Sequence, residues 1–215
     1  MTAATDLPAW LRKVLPADTA HRWVQMRDVL PSGSVLVDGT ALTTHLHHRI
    51  SRDLDFFLTE PFDSEALSDT LSQLDTFAVT LLDDDSLNGV LGSTKVQFLR
   101  AVGQSFVEPV QDIAGIPVAG LGDILATKLK VIQDRGEHRD YFDIKTIEQR
   151  GGRSVEEGFT LFVNHYHLHH PEAALVEIVR GLGYHDDLVE DPEVPEPLAE
   201  TTAYWRIRAR ELALG

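Results

Sequence analysis

The spacing of apolar residues along this chain changes near Gly122. Before it, apolar residues come in short blocks separated by polar turns; after it, they recur every three or four positions. Residues 17–30 read as a helix that ends near Pro31 and Gly33. SVLVDG (34–39) reads as a short strand closed by Gly39, with a short helix over 40–47 beginning directly after that glycine. DLDFFL (53–58) is a second strand. Residues 63–74 form a helix with Asp63 as N-cap and Leu67, Leu71 and Leu74 on a helical period. FAVTLL, LNGVLG and TKVQFLRAV are three strand-like runs, punctuated by Asn88-Gly89 and Gly92-Ser93, and IPVAG is a further short strand. Helices follow at about 123–134, 138–149, 154–168, 171–182 and 200–213. The order implies an α+β fold: a small mixed sheet with helices, then a helical C-terminal half. The expected division is a domain over 1–121 and a helical domain over 122–215.

Composition narrows the picture. The chain has 215 residues, 43% of them hydrophobic, enough for one large domain or a domain with an appendage. Cysteine is absent, which excludes disulfides, thiolate zinc sites and cysteine nucleophiles. The N-terminus lacks the basic-then-apolar order of a signal peptide and no apolar run is long enough to span a bilayer, so the expectation is a cytoplasmic protein with no membrane partner. A net charge of -15 argues against a globally basic nucleic-acid binder. The stretch from Lys128 to Arg153 is locally richer in cations but interleaved with acids. It reads either as two solvated helices or as the place where a polyanion would sit. The acidic stretch from His185 to Glu200 reads as a solvated linker before the last helix.

Candidate chemistry begins at Asp53 and Asp55. Two apart on a strand, both side chains leave one face, while Leu54 and Phe56 leave the other. Carboxylates about 5–7 Å apart repel unless a cation or proton sits between them. Mg²⁺ commonly takes one or two carboxylates plus phosphate oxygens, so the pair suits phosphoryl transfer. An exposed edge-strand face is the alternative. Gly39 would let the backbone approach a ligand, and a helix starting at Thr40 would offer amide N–H groups and a hydroxyl to a phosphate; a plain tight turn is the alternative there.

On the 123–134 helix, Ile124, Leu125, Leu129, Val131 and Ile132 form one apolar arc with Lys128 near its centre. A lysine there either snorkels or meets an anion in a polar pocket. On the next helix Asp140 falls within the buried arc and Asp143 on its flank. Such acids are usually paired, with Arg139, Lys145 or Arg135 as candidate partners, or with Asp143 positioning substrate or balancing Lys128. His45, His47 and His48 form one histidine cluster. His165, His167, His169 and His170 form another, read as surface histidines because no HExxH pattern accompanies them.

Together these residues resemble a known family. DGTALTTHLHHRISRDLDFF looks like the first motif of the AbiEii/AbiGii toxin nucleotidyltransferases, and DILATKLKVIQDRGEHRDYFDI resembles a second. The matching positions are Gly39, Thr40, His48, Arg49, Ser51, Asp53 and Asp55, then Asp123, Lys128, Arg135, Asp140 and Asp143. The resemblance implies a fold like the DNA polymerase β nucleotidyltransferase superfamily. It implies transfer of a nucleoside monophosphate from Mg²⁺-NTP to an acceptor, the 3′ end of tRNA, by a toxin with a cognate antitoxin in a toxin–antitoxin or phage-defence system. It implies metal at Asp53 and Asp55, catalytic roles for Asp53, Asp55, Lys128 and Asp143, and nucleotide binding by Gly39, Thr40, Arg49, Ser51 and Lys128. Two positions depart from the pattern: Asp38 replaces the first of a glycine pair, and Gln97 stands where the superfamily often has a third carboxylate. An NTP-sensing module without turnover, or a small-molecule nucleotidyltransferase of the aminoglycoside-modifying kind, are the alternatives.

Overall fold

The computed structural model describes residues 7–134 and 136–214. They divide into two compact units. One runs to Ser105 and takes in Pro109–Gly120; the other comprises Phe106–Glu108 and the chain from Leu121 onward.

The first unit holds helices α1 (Leu11–Val14), α2 (Ala17–Met26), α3 (Asp38–Leu46) and α4 (Ser64–Leu74). Its strands are β1 (Ser34–Leu36), β2 (Leu54–Leu58), β3 (Phe77–Leu82), β4 (Ser86–Leu91), β5 (Thr94–Arg100), β6 (Gln111–Ile113) and β7 (Ile116–Val118). They form one seven-stranded sheet in the order β3-β4-β5-β2-β1-β7-β6. The hairpins β3–β4, β4–β5 and β6–β7 are antiparallel, as is β1 with β2, while β2–β5 and β1–β7 run parallel. The sheet is therefore mixed, as the alternation of hairpin and helical connections implies.

Strand alternation sets one face of this sheet against a core. Leu54, Phe56 and Leu58 of β2 are fully buried, as are Phe98 of β5 and Leu87 and Leu91 of β4, while Asp55 and Phe57 are half-buried. Phe56 and Phe98 stack 5.0 Å apart, and Phe62 adds a third ring. Helix α4 packs on β3 and β4 through Leu67 and Leu71. The Asp63 carboxylate caps it by accepting from the Ala66 N–H at 2.9 Å, the N-cap its sequence implies.

Asn88-Gly89 is not a turn. Both residues lie inside β4, and the chain reverses instead at 83–85 and at Gly92-Ser93. Gly89 is required because the Phe77 ring of β3 lies over it: a Cβ there would come within 2.5 Å of that ring. A glycine mid-strand thus marks close packing rather than a reversal. Strand β6 and helix α1, both short, had no periodicity to reveal them.

The second unit is helical: α5 (Leu121–Asp134), α6 (His138–Arg150), α7 (Val155–His165), α8 (Glu172–Leu182) and α9 (Leu198–Leu214). Helix α5 is its centre and packs against α6, α7 and α8, while α9 closes on α6 and α8. Small residues permit this: a Cβ on Gly158 of α7 would sit 2.8 Å from Leu125, and one on Gly181 of α8 would sit 2.6 Å from the Ile132 carbonyl oxygen. The Trp205 indole N–H anchors α9 by donating to the Tyr141 carbonyl at 3.0 Å.

The acidic segment before α9 is largely exposed, as its sequence implies, but it is tethered to α6. The Asp191 N–H donates to His138 Nδ1, and Lys145 meets both Glu196 carboxylate oxygens at 2.7 Å. The Thr201 hydroxyl donates to Glu196. Buried groups of α6 therefore hold the segment as a strap. Among the described residues, no helix is long and apolar enough to cross a membrane.

Candidate functional site

In the sheet unit, Asp53 immediately precedes β2 and Asp55 is its second residue, both half-buried. The strand lifts Asp55 off the face opposite Leu54 and Phe56. What positions the pair is the hub formed by α3 and the segment ahead of β2. The Thr40 hydroxyl, 1% exposed, donates to the Asp53 carbonyl and lies 2.8 Å from Ser51 Oγ. The Val37 N–H donates to the Asp55 carbonyl at 2.8 Å, and the Thr43 hydroxyl donates to the Arg49 carbonyl at 3.1 Å. Both aspartate backbones are thus pinned from α3 and from Val37, the residue that caps it.

The glycine turn differs from its sequence reading. Helix α3 begins at Asp38, not Thr40, so Gly39 lies inside its first turn. The left-handed residue is Asp38, with φ 58°. Gly39 is required by close approach instead. A Cβ there would sit 2.5 Å from the Arg49 guanidinium and 3.3 Å from Ser51 Oγ, so these two side chains already occupy the space beside its backbone. The hydroxyl of Thr40 is spent on Asp53; any anion at this helix start would meet amide N–H groups, which lack intrahelical acceptors in a first turn. Gly39, Thr40, Arg49, Ser51, Asp53 and Asp55 are brought together in this unit.

Neighbours on the sheet complete the surroundings. Asp55 pairs laterally with Gln97 of β5, and Gln97 with Asn88 of β4. Among the described residues, no group of three or more His, Asp and Glu side chains is arranged to hold a metal. Two carboxylates fit Mg²⁺ nonetheless, because that ion completes an octahedron with water and phosphate oxygens.

The helical unit holds a buried ionic cluster. Lys128 is 2% exposed; its ammonium donates to Asp140 at 2.9 Å and lies 3.2 Å from Asp143, which is wholly buried. Asp140 also accepts from the Glu137 N–H at the start of α6, completing a capping box. Lys128 therefore does not snorkel. Lys128 pairs with both acids, while Arg139 pairs with Glu137 and Lys145 with Glu196. Arg135 lies outside the described residues.

The histidines also depart from expectation. His165 is not a surface residue: it is 1% exposed and donates from Nδ1 to Asp123 at 3.0 Å. The Asp123 carboxylate further accepts from the Val107 and Glu108 N–H groups, so it ties the 106–108 strap to α5 and α7. Val155, Gly158, Phe162 and His165 share the buried stripe of α7, and that spacing is the signal that marks His165 as interior. In the other cluster His48 is buried, His45 Nε2 bonds the Ala119 carbonyl oxygen, and His47 caps α3 in a left-handed conformation beside Trp10.

Comparison with known proteins bears on what such residues do. The family profile described as the nucleotidyl transferase AbiEii toxin of type IV toxin–antitoxin systems matches residues 98–213, more than half of the chain, including Lys128 and Asp143. A curated but uncharacterized protein of Aquifex aeolicus is 29% identical over 173 residues, 79% of this chain and 80% of that one. A crystallised candidate nucleotidyltransferase from H. pylori superposes with a TM-score of 0.57 at 16% identity, covering 92% of this chain and 95% of that chain. The nucleotidyltransferase toxin MenT4 from Mycobacterium tuberculosis gives 0.54 at 18% identity, covering 87% of this chain and 79% of that one. At these identities the two structures establish likeness of fold.

Proposed function

We propose, for a chain that belongs to the AbiEii nucleotidyltransferase toxin family, that it transfers a nucleoside monophosphate from Mg²⁺-NTP to the 3′ end of tRNA. The observation that carries this reading is the pinned pair Asp53 and Asp55, whose backbone carbonyls are held by Thr40 and Val37, with Asp55 on the face of β2 opposite Leu54 and Phe56 and Asp53 just ahead of that strand. Carboxylates so placed are the donors a hard divalent cation prefers. Bound there, Mg²⁺ would supply charge neutralisation at the phosphates and a lowered pKa for an attacking hydroxyl. Asp53 and Asp55 are its ligands in this reading, with Gly39, Thr40, Arg49 and Ser51 forming the nucleotide-binding hub.

Lys128 and Asp143 have catalytic roles by family resemblance, Lys128 toward a nucleotide phosphate. The ion pairing within their own unit fixes the lysine's ammonium in one place, which such a role demands. A cognate antitoxin and a cytoplasmic setting, where NTP and tRNA are both abundant, accompany the reading. The test is incubation of the whole protein with each labelled NTP, Mg²⁺ and total tRNA, with small cationic amines as competing acceptors. Label on tRNA that disappears with Asp55→Ala is expected. No transfer from any NTP, together with unchanged growth toxicity of Asp55→Ala, would refute it; label on the amines alone would move the acceptor to a small molecule.

A further inference from the structure

The lateral rows of the sheet specify what faces Asp55. In the parallel β2–β5 ladder Asp55 lies opposite Gln97, and in the antiparallel β4–β5 ladder Gln97 lies opposite Asn88. Residues directly opposite each other in a ladder project from the same face. Asp55, Gln97 and Asn88 therefore form one polar row, each residue half-buried. One step along, the same face carries Phe57, Leu99 and Ser86, which bear no charge. In the other direction β5 carries Lys95, a cation, adjacent to Val96, the residue opposite Leu54. Strands β4 and β5 contribute no carboxylate at all. The row also contains an acceptor left open: Asn88 Oδ1 is buried and has no hydrogen-bond partner among the described residues. A buried acceptor without a donor is destabilising and calls for a ligand or a water.

We propose that Gln97 restricts this site to a single divalent cation. The inference rests on the reading of Asp53 and Asp55 as cation ligands. Two divalent ions about 3.5–4 Å apart repel strongly and are held together by carboxylates that face both. Here the reading gives the cation two carboxylates, Asp53 and Asp55, the number that one Mg²⁺ commonly takes. The lateral position next to Asp55, from which a third carboxylate would reach a second ion, carries a neutral amide. Beyond it lies another amide, and Lys95 adds repulsion. Gln97 and Asn88 offer carbonyl oxygens and N–H groups suited to hydrogen bonds with a nucleotide or acceptor hydroxyl.

The experiment counts Mn²⁺ ions bound per protein–nucleotide complex, using the full chain, a non-hydrolysable NTP analogue and the electron paramagnetic resonance signal of free Mn²⁺. Wild type is expected to bind one and Gln97→Glu two. Melting of Gln97→Glu is expected to rise with Mn²⁺ more steeply than melting of wild type, because the added carboxylate is stabilised only when a cation faces it. Two ions in wild type, or one in both proteins, overturn the inference and leave the Asp53–Asp55 site standing. No Mn²⁺ bound by wild type overturns both. The wild-type count decides the matter even if Gln97→Glu fails to fold, and Gln97→Asp provides the shorter carboxylate as a second variant.

Discussion

Replacing Lys128 with methionine tests how the helical unit is held together, separately from what it catalyses. The side chain is 2% exposed, and its ammonium lies 2.9 Å from Asp140 and 3.2 Å from Asp143, themselves 5% and 0% exposed. Methionine fills similar volume but removes the charge that lies between two buried carboxylates. Breaking a buried ion pair from one side costs about 3–5 kcal/mol. That is a large part of the roughly 5–15 kcal/mol by which a folded domain is stable. For a chain of this size each 1 kcal/mol moves the melting temperature about 2–4 °C, so Lys128→Met is expected to melt roughly 6–20 °C below wild type. Adding Asp140→Asn and Asp143→Asn should recover most of the loss, since a buried ionic cluster replaced as a whole is often close to neutral. Thermal melts followed by circular dichroism at neutral pH measure all three proteins. A Lys128→Met melt within about 2 °C of wild type, or a triple variant no better than the single one, would refute the reasoning. The outcome also governs activity assays: lost transfer in Lys128→Met indicates chemistry only at temperatures where that variant is folded.

Other expectations follow from the same geometry. Gly39→Ala should displace the Arg49 guanidinium, whose nitrogen lies 2.5 Å from the new Cβ; because that group is the flexible end of a side chain, melting should change little while KM for NTP rises. Asp38→Gly should stabilise the protein by up to about 1 kcal/mol, since φ 58° suits glycine better than aspartate, with the gain read from chemical denaturation. His165→Ala should cost about 2–4 kcal/mol by opening a cavity and removing a donor from the buried Asp123, while His169→Ala, at an exposed position, should cost nothing measurable. Burial raises the Glu148 pKa, but hydrogen bonds from Arg208, Tyr204 and the Val155 N–H outweigh it and hold the carboxyl below its ordinary 4.5. A depressed folded pKa gives stability that is present above the unfolded value and lost as pH falls through the folded one. Glu148→Gln should therefore melt lower at neutral pH yet lose less on acidification below about pH 5, as paired melts across that range would record.

Several features were legible in the sequence because they are local. Strand β2 follows from alternation in DLDFFL, the α4 cap from Asp63, and helices α5 to α9 from apolar residues at helical spacing. The placement of Asp55 opposite Leu54 and Phe56 is likewise a property of any strand, whereas Asp53, read as part of the same strand, lies just ahead of it. Lys128 announced itself as a charge on an apolar arc, but α5 alone left open whether it snorkels, and only Asp140 and Asp143 of α6 decide that it does not. Other features depended on residues far apart in the chain. Asn88-Gly89 has the composition of a turn, and only the Phe77 ring across β3–β4 explains a glycine there. Gly39 looked like a turn residue, but its lack of a side chain serves Arg49 and Ser51. The acidic segment before α9 reads as solvated and is largely exposed, but its tethers to His138 and Lys145 of α6 had no local signal. The neighbours of Asp55 illustrate the division most directly. Sequence determined which residues carry charge and which face of its own strand each occupies, because backbone geometry repeats every two or 3.6 residues. Only the tertiary structure decided that Gln97 and Asn88 stand beside Asp55, because strand order and register arise from packing between segments that share no local pattern.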